Sequence, residues 1–537
     1  MTEVTRFLRE ATGLVRGLST FDAFNLAFCQ VNILCCIWVY SWTPVGYPGA
    51  NTAVSLLIVG PLVILVAAIY SIMSIAMPRS GGDYVWVSRI LHPAIGFMQN
   101  FYMMFAFMYW TALIISWVPN WYLSTLLGAW GVWSNNPALS EWGSKLTTPE
   151  WTFIIGSLFI PYIFGLLMSG MKNVARVQKI LFVIANFGMF ALIAVLFVTP
   201  TNTFVSNLNE YLGSAGSAAT YESIVETAKT VGYQPGWYWL PTIIALPYAF
   251  GMYGGYNWSS YVGGEVKDAS RKISLTIIPT AILSIIFFVL IGFGIFQMTG
   301  YDFYNGIQYV FYLKPEAYPE ALILPPLINY FITFATKNFA IVFTILFCFV
   351  INGIWMMGGI PTFASRCFFA WSFDRILPSK LADVSERFHV PLYILTLQAI
   401  LSWVCLYLMC FTQFFAYQAN VYVGWMICYA IVGLSITIFP WTKKQLYETT
   451  VPSRYKRKIA GIPVLSILGA VMFGFFVFMT YAAYTNAALG GPISWASVGI
   501  GIFGILILGI VIYYISYVYH KRKGIDISLA FKEIPPE

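Results

Sequence analysis

The chain has 537 residues, 59% of them hydrophobic, 18% aromatic and only 9% charged, with a net charge of +8. Soluble domains carry about 25% charged residues, so this composition leaves too little water-facing surface and excludes an ordinary soluble protein. Long apolar runs alternate with short charged segments rather than residue by residue, which excludes a barrel and selects membrane-spanning helices.

Residues 1–19 are mixed and basic, with Arg6, Arg9 and Arg16. The apolar stretch that follows is too long for a signal-peptide core. About twelve spans are predicted, at 22–44, 54–77, 96–127, 151–170, 178–199, 237–261, 275–297, 339–363, 391–411, 419–440, 462–484 and 494–518. The third exceeds what a bilayer needs, which implies tilt. The last two come from 459–520, which holds no Asp, Glu, Lys or Arg. At about 1.5 Å per residue that run is roughly two crossings long, and Leu489-Gly490-Gly491-Pro492 supplies the turn.

Within the first span, Cys29-Gln30-Val31-Asn32 is a polar patch about one-third of the way in. Hydrogen bonding between neighbouring helices, at about 0.6 kcal/mol, accounts for such a patch. The alternative is an unwound point facing the sixth span, which composition does not signal, because no Gly lies between Gly17 and Gly46. The sixth span is different: Leu246-Pro247-Tyr248-Ala249-Phe250-Gly251-Met252-Tyr253-Gly254-Gly255-Tyr256-Asn257 places three glycines among polar aromatics. Close packing explains glycines in a membrane helix. A break around a polar cavity also supplies Tyr253, Tyr256 and Asn257 with partners and exposes helix ends able to hold a carboxylate or an ammonium. The break is the stronger expectation.

Orientation follows from Lys and Arg. With both termini cytoplasmic, the outward segments hold only Lys145, Lys229, Lys314 and Lys337 of the 29 basic residues, as the positive-inside rule requires. The basic residues are dispersed and form no nucleic-acid-binding face. The cluster Lys443, Lys444, Arg454, Lys456, Arg457 and Lys458 suits an inner loop better than a dedicated lipid site. Eight cysteines fall in spans or at their inner ends, so no disulfide framework is expected. The three histidines, His92, His389 and His520, all lie near the inner surface and give no intramembrane metal site. The spans lack the acids and bases an intramembrane enzyme would use; only Asp22 and Glu265 flank the first and sixth. Amides, hydroxyls and aromatics point to recognition of a small molecule, hence to transport. No cofactor is expected.

Three motifs in order then carry a resemblance. They are Met77-Pro78-Arg79-Ser80-Gly81-Gly82-Asp83-Tyr84 running on to Arg89 and Pro93; Gly264-Glu265-Val266-Lys267-Asp268 with Arg271; and Ser365-Arg366 with Phe373-Asp374-Arg375 and Leu377-Pro378. A weaker match is Leu18-Ser19 with Asp22. Over roughly the first 400 residues the chain resembles the amino acid–polyamine–organocation permeases. Ala269 stands where that family usually has Pro.

The resemblance implies an all-α polytopic fold in which two inverted five-helix repeats, about 20–200 and 236–440, form a transport core (1–440). Helices 1 and 6 are broken. Two additional helices (441–520) and a cytoplasmic tail (521–537) follow. It implies a secondary transporter of amino acids in the cell membrane, working by alternating access. The substrate site is expected at Gln30, Val31, Asn32, Cys35, Phe250, Gly251, Tyr253, Gly254 and Asn257, with Tyr253 matching an aromatic that covers substrate. The family's Gly-Ser-Gly break is replaced here by Ile33-Leu34-Cys35. Some relatives place a coupling Lys in the fifth span, where this chain has Asn186; others use hydroxyls from the eighth, which offers Asn352. These two are kept as candidates for a polar core or coupling site, and the coupling ion, proton or sodium, is left open, as are exchange and uniport. The lack of a buried acid in the spans disfavours polyamines and suits neutral or hydrophobic amino acids. A nucleobase permease of the same fold and a non-transporting membrane subunit are the alternatives.

Overall fold

The structure is a computed structural model describing residues 14, 16–134, 136–414, 421–485 and 499–532. Among the described residues, ten helices are long and apolar enough to cross a membrane: Thr52–Ala76, Pro93–Trp133, Pro149–Met168, Met171–Val198, Ala269–Thr299, Phe339–Phe373, Leu392–Phe411, Val423–Thr442, Val464–Ala482 and Gly499–Arg522. Two predicted positions are filled by interrupted helices. The first is a pair, Thr20–Cys35 and Val39–Gly46, bent by 58°; the sixth is the shorter Trp239–Gly251 followed by turns. The protein is therefore an all-α polytopic membrane protein. Among the described residues a short antiparallel hairpin, Lys458–Ile459 with Ile462–Pro463, and two isolated β-bridges, Leu18 with Val266 and Ser80 with Val262, interrupt the helices.

Local chemistry sets the helix ends. Ser19 and Asp22 form a reciprocal capping box at the first helix. Asn51 and Asn338 cap the second and eighth. Pro149 opens the fourth, where its missing N–H costs nothing. The third span runs on to Trp133, beyond the predicted limit of 127, through a π-helical turn at Val118–Leu123. Pro119 in that turn cannot donate the ordinary backbone bond. The eighth continues past 363 to Phe373, so Arg366, which the sequence places in an inner loop, lies within a helix.

The segments between spans on the face opposite the termini are not open loops. They carry amphipathic helices Thr201–Ser214, Tyr221–Thr230, Tyr301–Leu313 and Ile328–Ala335. Phe204, Leu208 and Leu212 of the first are fully buried. Spans 10 and 11 approach to backbone contact: a Cβ on Gly433 would lie 2.7 Å from the Phe473 amide nitrogen, and one on Gly469 would lie 2.6 Å from that of Thr437. Small residues let membrane helices close in this way. The turn expected at 489–492 lies outside the described residues.

Candidate functional site

The first helix stops at Val31 because Asn32 adopts a left-handed conformation, φ 40° and ψ 75°. Asn tolerates that region better than other non-glycine residues. Its side chain then restarts the chain: Oδ1 accepts from the Cys35 amide at 2.9 Å and caps the next turn, Ile33–Cys36. The same side chain reaches the eighth span. Asn32 Nδ2 donates to the Asn352 carbonyl at 3.2 Å, and Asn352 Nδ2 donates back to Asn32 Oδ1. Gln30 Nε2 donates to the Met356 carbonyl at 3.1 Å. The eighth span itself turns at 357–359, between helices Phe339–Met356 and Ile360–Phe373.

The sixth helix stops at Gly251 and becomes turns until the 3-10 segment Trp258–Tyr261. Gly255 sits at φ +112°, and a Cβ there would lie 2.5 Å from Gln30 Cβ and 2.9 Å from both Gln30 C and Val31 N. The two interruptions are therefore in direct contact, glycine against backbone. Around this contact several buried groups have no hydrogen-bond partner among the described residues: Gln30 Oε1, the Tyr256 hydroxyl and Asn257 Nδ2. The amides of Gly255, Tyr256 and Asn257 likewise meet no backbone acceptor there. Buried polar groups are normally paired, so these atoms leave unused hydrogen-bonding capacity beside the two breaks.

Not every predicted site residue converges here. Gln30, Val31, Asn32, Cys35 and Asn352 gather at the first break, where the Tyr122 hydroxyl also donates to Cys35 Sγ at 2.6 Å. Asn257 accepts from the Tyr429 hydroxyl at 3.1 Å. Gly254 packs on Trp425, and Phe250 meets Tyr429 and Phe476 edge-on, on the side of spans 10 and 11. Tyr253 faces the second and seventh spans: its hydroxyl donates to the Leu56 carbonyl at 3.0 Å and its ring meets Phe288. Gly251 supplies the carbonyl that closes the turn to the Gly254 amide at 3.1 Å. Asn186 donates to the Phe182 carbonyl of its own helix at 2.7 Å and reaches no residue of the breaks.

The fifth span's contribution is instead Gln178, fully buried, whose amide donates to the Trp355 carbonyl at 3.1 Å. Trp355 in turn donates to Asn25 Oδ1 at 2.9 Å. A connected set of indoles borders the breaks. Trp425 meets Trp258 and stacks on Trp110; Trp110 meets Trp117, and Trp117 meets Trp38.

The face carrying the termini is closed by two buried ion pairs built from the matched motifs. Arg366 grips Glu265 through two parallel bonds, Nε to Oε1 at 2.5 Å and Nη2 to Oε2 at 2.8 Å. Arg89 pairs with Asp374 at 2.9 Å, and Asp374 also accepts from the Tyr84 hydroxyl at 2.7 Å. All four charged side chains are at most 2% exposed. The first pair ties the end of the sixth span to the eighth; the second ties the short helix Asp83–Ile90 to the end of the eighth. Phe531 of the tail lies over the Arg89 guanidinium, 4.9 Å from its ring centroid.

The family model described as amino acid permease matches residues 18–508, and the chain belongs to that family, within the amino acid–polyamine–organocation superfamily. No curated protein matches it.

Proposed function

We propose that this amino acid permease is a secondary transporter of neutral or hydrophobic amino acids, which bind where the first and sixth helices are interrupted. The observation that carries the reading is the contact of Gly255 with Gln30 and Val31, surrounded by unpaired polar groups. The Ile33 and Leu34 amides that follow the left-handed Asn32 are backbone donors that suit a carboxylate. The Gln30 side-chain oxygen is an acceptor suited to an ammonium. The surrounding indoles and apolar side chains suit an uncharged amino acid side chain.

Alternating access then requires the face of the termini to open. In that step the Arg366–Glu265 and Arg89–Asp374 contacts rearrange, because they bind the sixth and eighth spans and the loop after the second into one unit. The distribution of Lys and Arg supports a cytoplasmic position for that face; the cell membrane as location belongs to the same reading. An inverted repeat of spans 1–5 and 6–10 is part of the same reading. Purified protein in liposomes tests it by counterflow of a panel of labelled amino acids. Exchange of leucine or another neutral member is expected. Inertness toward the whole panel, or displacement of bound label by uracil in place of leucine, refutes it.

A further inference from the structure

Asp83 opens the short helix between the second and third spans and is 1% exposed. Among the described residues it forms no ion pair, unlike the two acids that close the same face. It is held by neutral donors from three elements. The Tyr70 hydroxyl of the second span donates to Oδ2 at 2.9 Å, and the Tyr261 hydroxyl, just beyond the break in the sixth, donates to Oδ1 at 2.9 Å. Asn100 Nδ2 of the third span donates to Oδ1 at 3.2 Å. The other titratable groups facing it are Tyr429 and Cys428 of the tenth span and Cys367 of the eighth. None of these is a base or a cation.

A carboxylate so placed has two states with different mechanical consequences. Ionised, it accepts from all three donors and ties the 78–83 loop to the sixth span; the Gly81 amide reinforces the tie by donating to the Tyr261 carbonyl at 3.0 Å. Protonated, it must itself donate, so one of the hydroxyl bonds reverses or is lost. We propose that Asp83 is the coupling-proton site of this permease, one proton binding its carboxylate per cycle and loosening Tyr261 from the loop so that the face of the termini opens. This rests on the transport reading above and supplies the coupling ion that it leaves unassigned.

Two further observations fit. The donors around Asp83 lead back toward the helix interruptions: the Tyr70 ring meets that of Tyr429 edge-on, 5.9 Å between centroids, and the Tyr429 hydroxyl donates to Asn257 beside Gly255. The carboxylate is thus one ring contact removed from the residues beside the break. Burial also raises the Asp83 carboxyl above its ordinary range, against the lowering by its hydrogen bonds.

The test uses purified full-length protein in liposomes with labelled leucine and an imposed gradient of about one pH unit. For one proton carried per substrate without a membrane potential, accumulation up to about tenfold is expected. Asp83→Asn is expected to bring label only to its equilibrium level, and its counterflow should no longer respond to the gradient. A wild-type protein indifferent to the gradient, or an Asn variant that accumulates like wild type, overturns the proposal. If leucine and the rest of the amino acid panel show no counterflow at all, it is the transport reading that fails. Infrared difference titration then judges the site by itself. A protonated-carboxyl band present in wild type, absent in Asp83→Asn, and shifted to higher pH in Tyr261→Phe supports it; a spectrum with no such band overturns it. Tyr261→Phe retains the carboxyl, which guards against an Asn variant that does not fold.

Discussion

Gly255→Ala is the sharpest perturbation of the paired breaks. The added methyl carbon would stand 2.5 Å from Gln30 Cβ and 2.9 Å from the Gln30 and Val31 backbone. Two of those three neighbours are main-chain atoms and cannot swing aside like the end of a long side chain. The residue would also have to hold φ +112°, a conformation L side chains rarely adopt. Overpacking costs about 1–3 kcal/mol, and the strained backbone adds about 1–3 kcal/mol. Their sum, about 2–6 kcal/mol, can be relieved only by separating the first and sixth helices or by partial unfolding. A matched control is Gly165→Ala, at a helical glycine whose added Cβ meets nothing within 4 Å; that change should be neutral or stabilise by a few tenths of a kcal/mol. The assay pairs thermal unfolding in detergent with leucine counterflow. Gly255→Ala should lower Tm by several degrees and reduce counterflow at least tenfold, while Gly165→Ala alters neither appreciably. Wild-type Tm and transport in Gly255→Ala would refute the contact between the breaks.

Five further outcomes follow from the same geometry. Glu265→Gln strands the buried Arg366 and should destabilise by about 3–5 kcal/mol, whereas Glu265→Leu with Arg366→Met should recover much of that loss in a double-mutant cycle of Tm values. Asn352→Ala removes only the side-chain donor to Asn32 Oδ1, which keeps the Cys35 amide, while Asn32 Nδ2 keeps the backbone carbonyl; a loss of about 0.5–1.5 kcal/mol is expected in the same measurement. Asn32→Ala should be worse than Asn32→Gly, since only the latter accepts φ 40° without strain. Tyr253→Phe removes the bond to the Leu56 carbonyl and should lower stability by about 1 kcal/mol while leaving leucine affinity within twofold, measured by equilibrium binding. Finally, a raised carboxyl means that the folded state binds the Asp83 proton more tightly than the unfolded chain does. Stability should therefore fall as pH rises through and above the ordinary carboxyl range, and this slope should be flatter in Asp83→Asn when Tm is followed against pH.

The spans were legible because the chain writes them as long uncharged runs, and the sixth break because three glycines stand among polar aromatics. The first break has no such signature. It rests on one residue, Asn32, whose short amide both tolerates the left-handed turn and caps the helix beyond it; in sequence that is indistinguishable from an Asn bonded to a neighbouring helix, and here it is both. Tyr253 and Phe250 are adjacent to the break but turn away from Gln30, because the direction of a side chain next to an interrupted helix depends on the turn and not on helical periodicity. Asn186 stands where some relatives carry a coupling Lys, yet its side chain is satisfied by its own helix; Gln178, about two turns nearer the helix start, carries no sequence signal and is the side chain that reaches the eighth span. The charges of Glu265, Arg366, Arg89 and Asp374 were read as loop charges. Their pairing joins residues 101 and 285 positions apart and is invisible to any local pattern.

The measurement that bears most directly on the central claim is the structure of the protein with a transported neutral amino acid bound. Its carboxylate is expected against the turn that restarts the first helix at Ile33 and its ammonium toward Gln30, beside Gly255. Density for the amino acid elsewhere, with Gly255 still closed on Gln30 and Val31, would contradict it.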